Sequence, residues 1–315
     1  MTGVWLVVAL AIIVGVCWYF FGRSTFPLAE TKAATGTFII SLTDTTTDAQ
    51  GIPYRGAVLF DPASGAYSYI ATHDKGTVTP VDASSFSSGT NYLAIRTGSS
   101  TTNELVLYDY KTLSPERVIR ELSLKTTVQS AAWSPDGKIF AYLVAGAGSP
   151  TLFVSSVTAT AAPKSFGYDI PVGFSPDGTK LLTRGTSVPV ILSTTDGVRT
   201  QTTGMISLDA TVWMMVSPSG KYVVAASGKT AHWYVLDWKT GKFSSLGTIA
   251  LGADDHNMLF SPDDSLIVAR KGSDTARVYS YHPGKGFIGK RVVNDSSVRL
   301  SLPDGARLLH AASWK

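Results

Sequence analysis

Apolar residues in this chain come in short runs, interrupted by turn-forming residues at a regular interval. The stretch "WSPDGKIFAYLVA", residues 133–145, shows the unit: apolar residues lead into Ser-Pro-Asp-Gly, and an alternating apolar run leads out. Near-copies begin at Phe174 ("FSPDGTKLLT"), Val216 ("VSPSGKYVVAAS"), Phe260 ("FSPDDSLIVAR") and Ser301 ("SLPDGARLLHAA"). Their prolines, Pro135, Pro176, Pro218, Pro262 and Pro303, stand 41, 42, 44 and 41 residues apart. A degenerate copy from Phe86, "FSSGTNYLAIRTG", lacks the proline. Proline holds φ near about −65°, Asp accepts from nearby backbone N–H groups, and Gly supplies positive φ. Each phrase therefore predicts a hairpin turn between two strands, and its Asp is read as a turn former rather than an acid.

Between the phrases lies a second hairpin of looser sequence, as in "LVLYDYKTLSPERVI", "HWYVLDWKTGKFSSL" and "ARVYSYHPGKGFIGKRV". Its first strand is apolar and its second more polar, which predicts four strands per period with the outermost most hydrophilic. No helical period after residue 36 runs long enough to compete. Four strands repeated every 40 to 45 residues, roughly, are the signature of propeller blades. Before the first phrase, "TFIISL", "GAVLF" and "AYSYIA" supply three strands, and the C-terminus ends on two, "SVRLSL" and "ARLLHAA". Joining the two ends predicts an all-β, six-bladed β-propeller over residues 37–315, with one strand left over. Seven blades, two of them incomplete, is the alternative.

The N-terminus follows a different pattern. From Val4 to Phe21, "VWLVVALAIIVGVCWYFF", there are 18 residues without a charge. As a helix this run is about 27 Å long, close to the roughly 30 Å of a hydrocarbon core. Trp5 at one end and Trp18 and Tyr19 at the other suit the two interfaces. The leading "MTG" lacks a basic side chain and the exit is bulky, so an uncleaved transmembrane anchor over residues 1–22 is expected rather than a signal peptide. Residues 23–36, with Pro27 and no apolar period, read as a linker.

Composition adds a location. Only 16% of residues are charged, against roughly 25% in ordinary soluble domains, and Ser and Thr fill the gap as in exported proteins. Arg23 and Lys32 after the helix weakly favour the opposite orientation. The body is weighted more heavily, giving a single-pass protein with an extracytoplasmic propeller, periplasmic or at the cell surface. The net charge of +4 is spread along the chain, so nucleic acid is not an expected partner. Cys17, inside the hydrophobic run, is the single cysteine, which leaves the rest of the chain no disulfide or thiolate metal site.

The "(W/F)SPDGK" phrase resembles the WD-like propeller repeat of the TolB type, also found in propellers of prolyl-oligopeptidase-type enzymes. The resemblance runs from about residue 75 to 315 and implies architecture more than activity, because such propellers serve as docking platforms, enzyme lids and occasionally enzymes. No G-x-S-x-G elbow accompanies it. The five histidines, His73, His232, His256, His282 and His310, have no metal-ligand spacing, and no metal or other cofactor is expected.

One constellation could carry chemistry. The strand before each phrase is expected innermost, starting at one mouth of the central channel. Residues shortly before the phrases are then Asp82, Gln129, Tyr168, Asp169, Asp254, Asp255, His256 and Asp295. They read either as a hydrated ring of loop residues or as a polar, cation-binding funnel for a ligand or a basic partner segment. The function expected from these features is a membrane-anchored, non-enzymatic protein-binding platform in the cell envelope or a surface assembly. A propeller enzyme of the lactonase or cyclase sort, using the channel mouth, is the alternative.

Overall fold

The computed structural model describes residues 38–47, 53–60, 67–69, 78–80, 86–87, 89–97, 102–109, 112, 114–146, 148–185, 188–205, 213–251, 255–260, 264, 266–270, 276–279, 290–293 and 307–311. They form six four-stranded antiparallel sheets. The first joins β1 (Phe38–Thr47), β2 (Pro53–Phe60) and β3 (Tyr67–Tyr69) to the last of the described strands, β24 (Arg307–Ala311). The second holds β4 (Val78–Pro80), β5 (Asn91–Thr97), β6 (Thr102–Asp109) and β7 (Ser114–Ser123), and the third β8 (Thr127–Trp133), β9 (Ile139–Ala145), β10 (Thr151–Ser156) and β11 (Lys164–Ser165). The fourth contains β12 (Ile170–Phe174), β13 (Lys180–Arg184), β14 (Pro189–Ser193) and β15 (Arg199–Gln201). The fifth has β16 (Trp213–Val216), β17 (Tyr222–Ser227), β18 (Thr230–Asp237) and β19 (Lys242–Ala250). The sixth has β20 (Asp255–Phe260), β21 (Leu266–Arg270), β22 (Ala276–Tyr279) and β23 (Lys290–Val293).

Burial follows the sequence pattern. The second strands β9, β13 and β17 are almost wholly buried, while the outermost β11 and β15 are exposed or nearly so. Apolar side chains pack between neighbouring sheets rather than around one centre. Leu93, Leu105 and Leu107 meet Phe140 and Tyr142 between the second and third sheets, and Leu152 and Val154 meet Phe174 and Leu181 between the third and fourth. Trp233 packs with Phe260 and Leu266 between the fifth and sixth. Strand β12 lies beside both β8 and β16, the neighbourhood expected of innermost strands.

The ends of the chain meet in the first sheet, where Phe38 stands opposite Ala311 and Ser41 opposite Arg307. Three N-terminal strands and one C-terminal strand make this sheet, so the count is four. The other C-terminal run, residues 297–302, lies outside the described residues, as does the expected anchor at residues 4–21. No helix among the described residues is long and apolar enough to cross a membrane.

The repeated phrase builds the same turn in successive sheets. Ser134 Oγ donates to Asp136 Oδ1 at 2.6 Å and accepts the Ile139 N–H at 2.9 Å, while Asp136 accepts the Lys138 N–H at 3.1 Å. Ser175, Asp177 and Lys180 repeat the pattern at 2.6 and 3.0 Å. These hydrogen bonds, first the one from the serine, hold the Asp136 and Asp177 carboxyls below their ordinary pKa. The turns of neighbouring sheets also touch. A Cβ on Gly220, whose φ is +74°, would stand 2.6 Å from the Pro176 nitrogen, so this turn needs glycine both for conformation and for space. The third phrase has Ser219 in place of Asp and the fourth has Asp264 in place of Gly. Asp264 takes a φ of 63° and its carboxylate accepts the Ser219 N–H at 3.0 Å, as well as the Ser219 hydroxyl. The acid missing from one turn is thus supplied by the next.

Candidate functional site

At the end of each sheet opposite the turn phrases, the inner strand starts and the second and third strands are joined. Register places Thr127 opposite Ala145 and Thr151 opposite Val144 in the third sheet. It places Ile170 opposite Arg184 and Arg184 opposite Pro189 in the fourth. The expected site residues divide by position on this end. Asp82, Asp254 and Asp295 lie outside the described residues. Asp255 and His256 open β20, and Gln129 sits near the start of β8, exposed. Gln129 and His256 occupy the same place: each falls where the inner strand shifts register, between Val128 and Ser130 or between Asp255 and Asn257. Such bulges re-aim a side chain and recur beside functional sites.

Asp169 is held differently from its neighbours. It is only 3% exposed and forms an ion pair with Arg199 of β15. Arg199 Nη2 also donates to the Phe166 carbonyl at 2.7 Å. The carboxylate lies against the β13–β14 turn, since a Cβ on Gly185 would stand 3.5 Å from Asp169 Oδ1. The reason is simple desolvation: a carboxylate buried this deeply requires a partner, and Arg199 from its own sheet supplies it. Asp169 therefore holds the approach to β12 in place. Its neighbour Tyr168 stays 46% exposed.

Three of the five large apolar side chains that are exposed among the described residues belong to this end. They are Leu124 (55%), in the turn from β7 to β8, Tyr168, before β12, and Val188 (40%), in the β13–β14 turn.

A cleft of about 320 Å³ opens at the same end, between the second and third sheets. Arg120, Glu121, Ser123, Thr126, Ser149 and Thr151 line it, with Phe153 and Val144 as its apolar wall. The guanidinium of Arg120 lies 4.4 Å from the centre of the Phe153 ring, within the range of a cation–π contact. Phe153 stacks in turn on Tyr142 at 5.5 Å, and Tyr142 on Phe140 at 6.1 Å, so Arg120 caps an aromatic ladder. Burial pushes the Tyr142 hydroxyl up to about 12. Sequence reading missed this cleft. Arg120 stands in "SPERVIRELS", where the charges come as two adjacent pairs, Glu116–Arg117 and Arg120–Glu121, and nothing local marks it apart from Arg117.

No protein-family model matches the chain, and no curated protein matches its sequence. Solved structures do share its fold. TolB from Acinetobacter baumannii superposes with a TM-score of 0.55 at 16% identity, over 80% of this chain and 62% of that one. The Cps50 (Swd1) β-propeller domain of Myceliophteria thermophila gives 0.47 at 13% identity, over 82% and 85%. A protein from Bacteroides uniformis, provisionally assigned as a 6-phosphogluconolactonase, gives 0.46 at 15% identity, over 82% and 98%. The described residues are thus all-β and of propeller type. The expectation that it is not an enzyme is corrected here. Structures of enzymes are among those of similar fold, so the architecture gives no ground for excluding an activity.

Proposed function

We propose that the chain is a six-bladed propeller over residues 37–315, tied by the linker 23–36 to a membrane anchor at residues 1–22. In this reading it stands outside the cytoplasm and docks another protein of the envelope or of a surface assembly. Six four-stranded sheets and a first sheet shared by both chain ends support the blade count. The 18 uncharged residues from Val4 to Phe21 support the anchor. The docking role rests on one observation above all: Leu124, Tyr168 and Val188 stand exposed on a single end of the sheets. Large apolar and aromatic side chains held on a rigid frame are the usual anchors of a protein interface. Gln129, Asp254, Asp255, His256 and Asp295, with Asp82, belong to the same face in this reading, as the part that would take a basic segment.

Two measurements test it. Protease added to spheroplasts should trim the chain to its membrane stub, whereas full protection until lysis would reverse the orientation. Replacing Leu124, Tyr168 and Val188 together with Asp should abolish co-purification of the partner from native membranes while leaving the melting temperature unchanged. Undiminished recovery of the partner would refute the docking face.

A further inference from the structure

Among the described residues of this face the charges are not evenly matched, and the imbalance points to a ligand. Arg96 is neutralised by Glu104 at 2.6 Å and Asp169 by Arg199. Arg120 and Lys125 are exposed, and no carboxylate among the described residues lies within ion-pair distance of either. Arg120 is also held in place. Its guanidinium lies over the Phe153 ring and interacts with the Tyr142 hydroxyl, and a planar guanidinium fixed in this way suits two-pronged recognition of a carboxylate. Beside it Glu121 brings an acceptor into the cleft, and Leu124 adds an apolar rim on the adjoining turn.

We infer that this cleft binds an acidic peptide segment: an Asp or Glu side chain of the docked protein pairs with Arg120, and a backbone N–H of the same segment donates to Glu121. The inference rests on the docking reading above and narrows it to one sector of the face. A free inorganic anion would satisfy Arg120 but be repelled by Glu121, whereas a peptide offers an acceptor for the one and a donor for the other. The stacked arginine gives the site its preference for a planar carboxylate over a mere negative charge.

The full-length protein in detergent, challenged with a library of blocked heptapeptides randomised at the central position, tests this directly. Retained peptides should be enriched in central Asp and Glu, about fivefold or more over Asn and Gln. Arg120→Gln should abolish that enrichment, and Arg120→Lys should recover only part of it, both at an unchanged melting temperature. Failure to retain peptides, absence of an acidic preference, or an acidic preference that persists in Arg120→Gln would each overturn the inference. If the Leu124, Tyr168 and Val188 variant still loses its partner in membranes, only the cleft assignment falls and the docking reading survives.

Discussion

The two ends of the sheets are built on opposite principles. At the phrase end, serine, carboxylate and glycine repeat one hydrogen-bonded turn, and adjacent turns touch: Gly220 against Pro176, Asp264 against Ser219. Among the described residues, little large apolar surface is left over there, with Val198 the exception. At the other end the connections differ from sheet to sheet, apolar side chains stand in solvent, and a cleft opens between two sheets. Uniformity serves closure of the structure; variety is what a specific partner can read. Substitutions at the first end should therefore cost stability, and those at the second should cost binding.

The largest effect should come from removing the shared sheet's C-terminal strand. Deleting residues 307–315 strips β24 from β1 and leaves an unpaired sheet edge. Loss of cooperative unfolding or aggregation is expected, and an unchanged melting curve would show that the ends are not structurally joined. Next comes Gly220→Ala, which combines a left-handed backbone with a Cβ driven into the Pro176 backbone. A loss of about 2–4 kcal/mol is expected by denaturant unfolding, with partner binding intact.

Asp169 tests the other end, because there a buried ion pair lies beside the exposed surface. Asp169→Asn should cost about 1–3 kcal/mol, discounted because Arg199 is 43% exposed in its side chain. Arg199→Ala should cost a similar amount, and the double variant less than the two together. The smallest effect concerns pH. Hydrogen bonds from Ser175 and Thr179 hold the Asp177 carboxyl below its ordinary value of 3.8. Its stabilising contribution is complete above that value and fades as pH falls through the lower, folded one. Melting temperatures measured from pH 7 down to about 2 should therefore fall less steeply for Ser175→Ala than for the wild type.

The phrase end was legible from sequence because its information is local. Ser134, Pro135, Asp136 and Gly137 specify their own turn within four positions, and the recurrence of their spacing revealed the sheet repeat. The closing of the first sheet was legible too, although the expected second C-terminal strand at 297–302 lies outside the described residues. The other end was legible only in outline. Asp169 is bound to a residue thirty positions later, and Arg120 stacks on Phe153 across a sheet boundary. Neither contact leaves a mark on the sequence around it. One signal was present and unread: the third phrase lacks its Asp while the fourth carries a second one in place of its Gly, and Asp264 closes that gap.

The division of labour between the ends can be measured in place. A photoreactive amino acid at Tyr168, on the irregular end, is compared with one at Lys239, exposed in the turn between β18 and β19 on the phrase end. Both proteins are irradiated in native membranes and the adducts identified by mass spectrometry. The account predicts one dominant protein adduct from Tyr168, abolished in the variant carrying Asp at Leu124 and Val188, and no such adduct from Lys239. Equal capture from both positions, or capture from Lys239 alone, would contradict it.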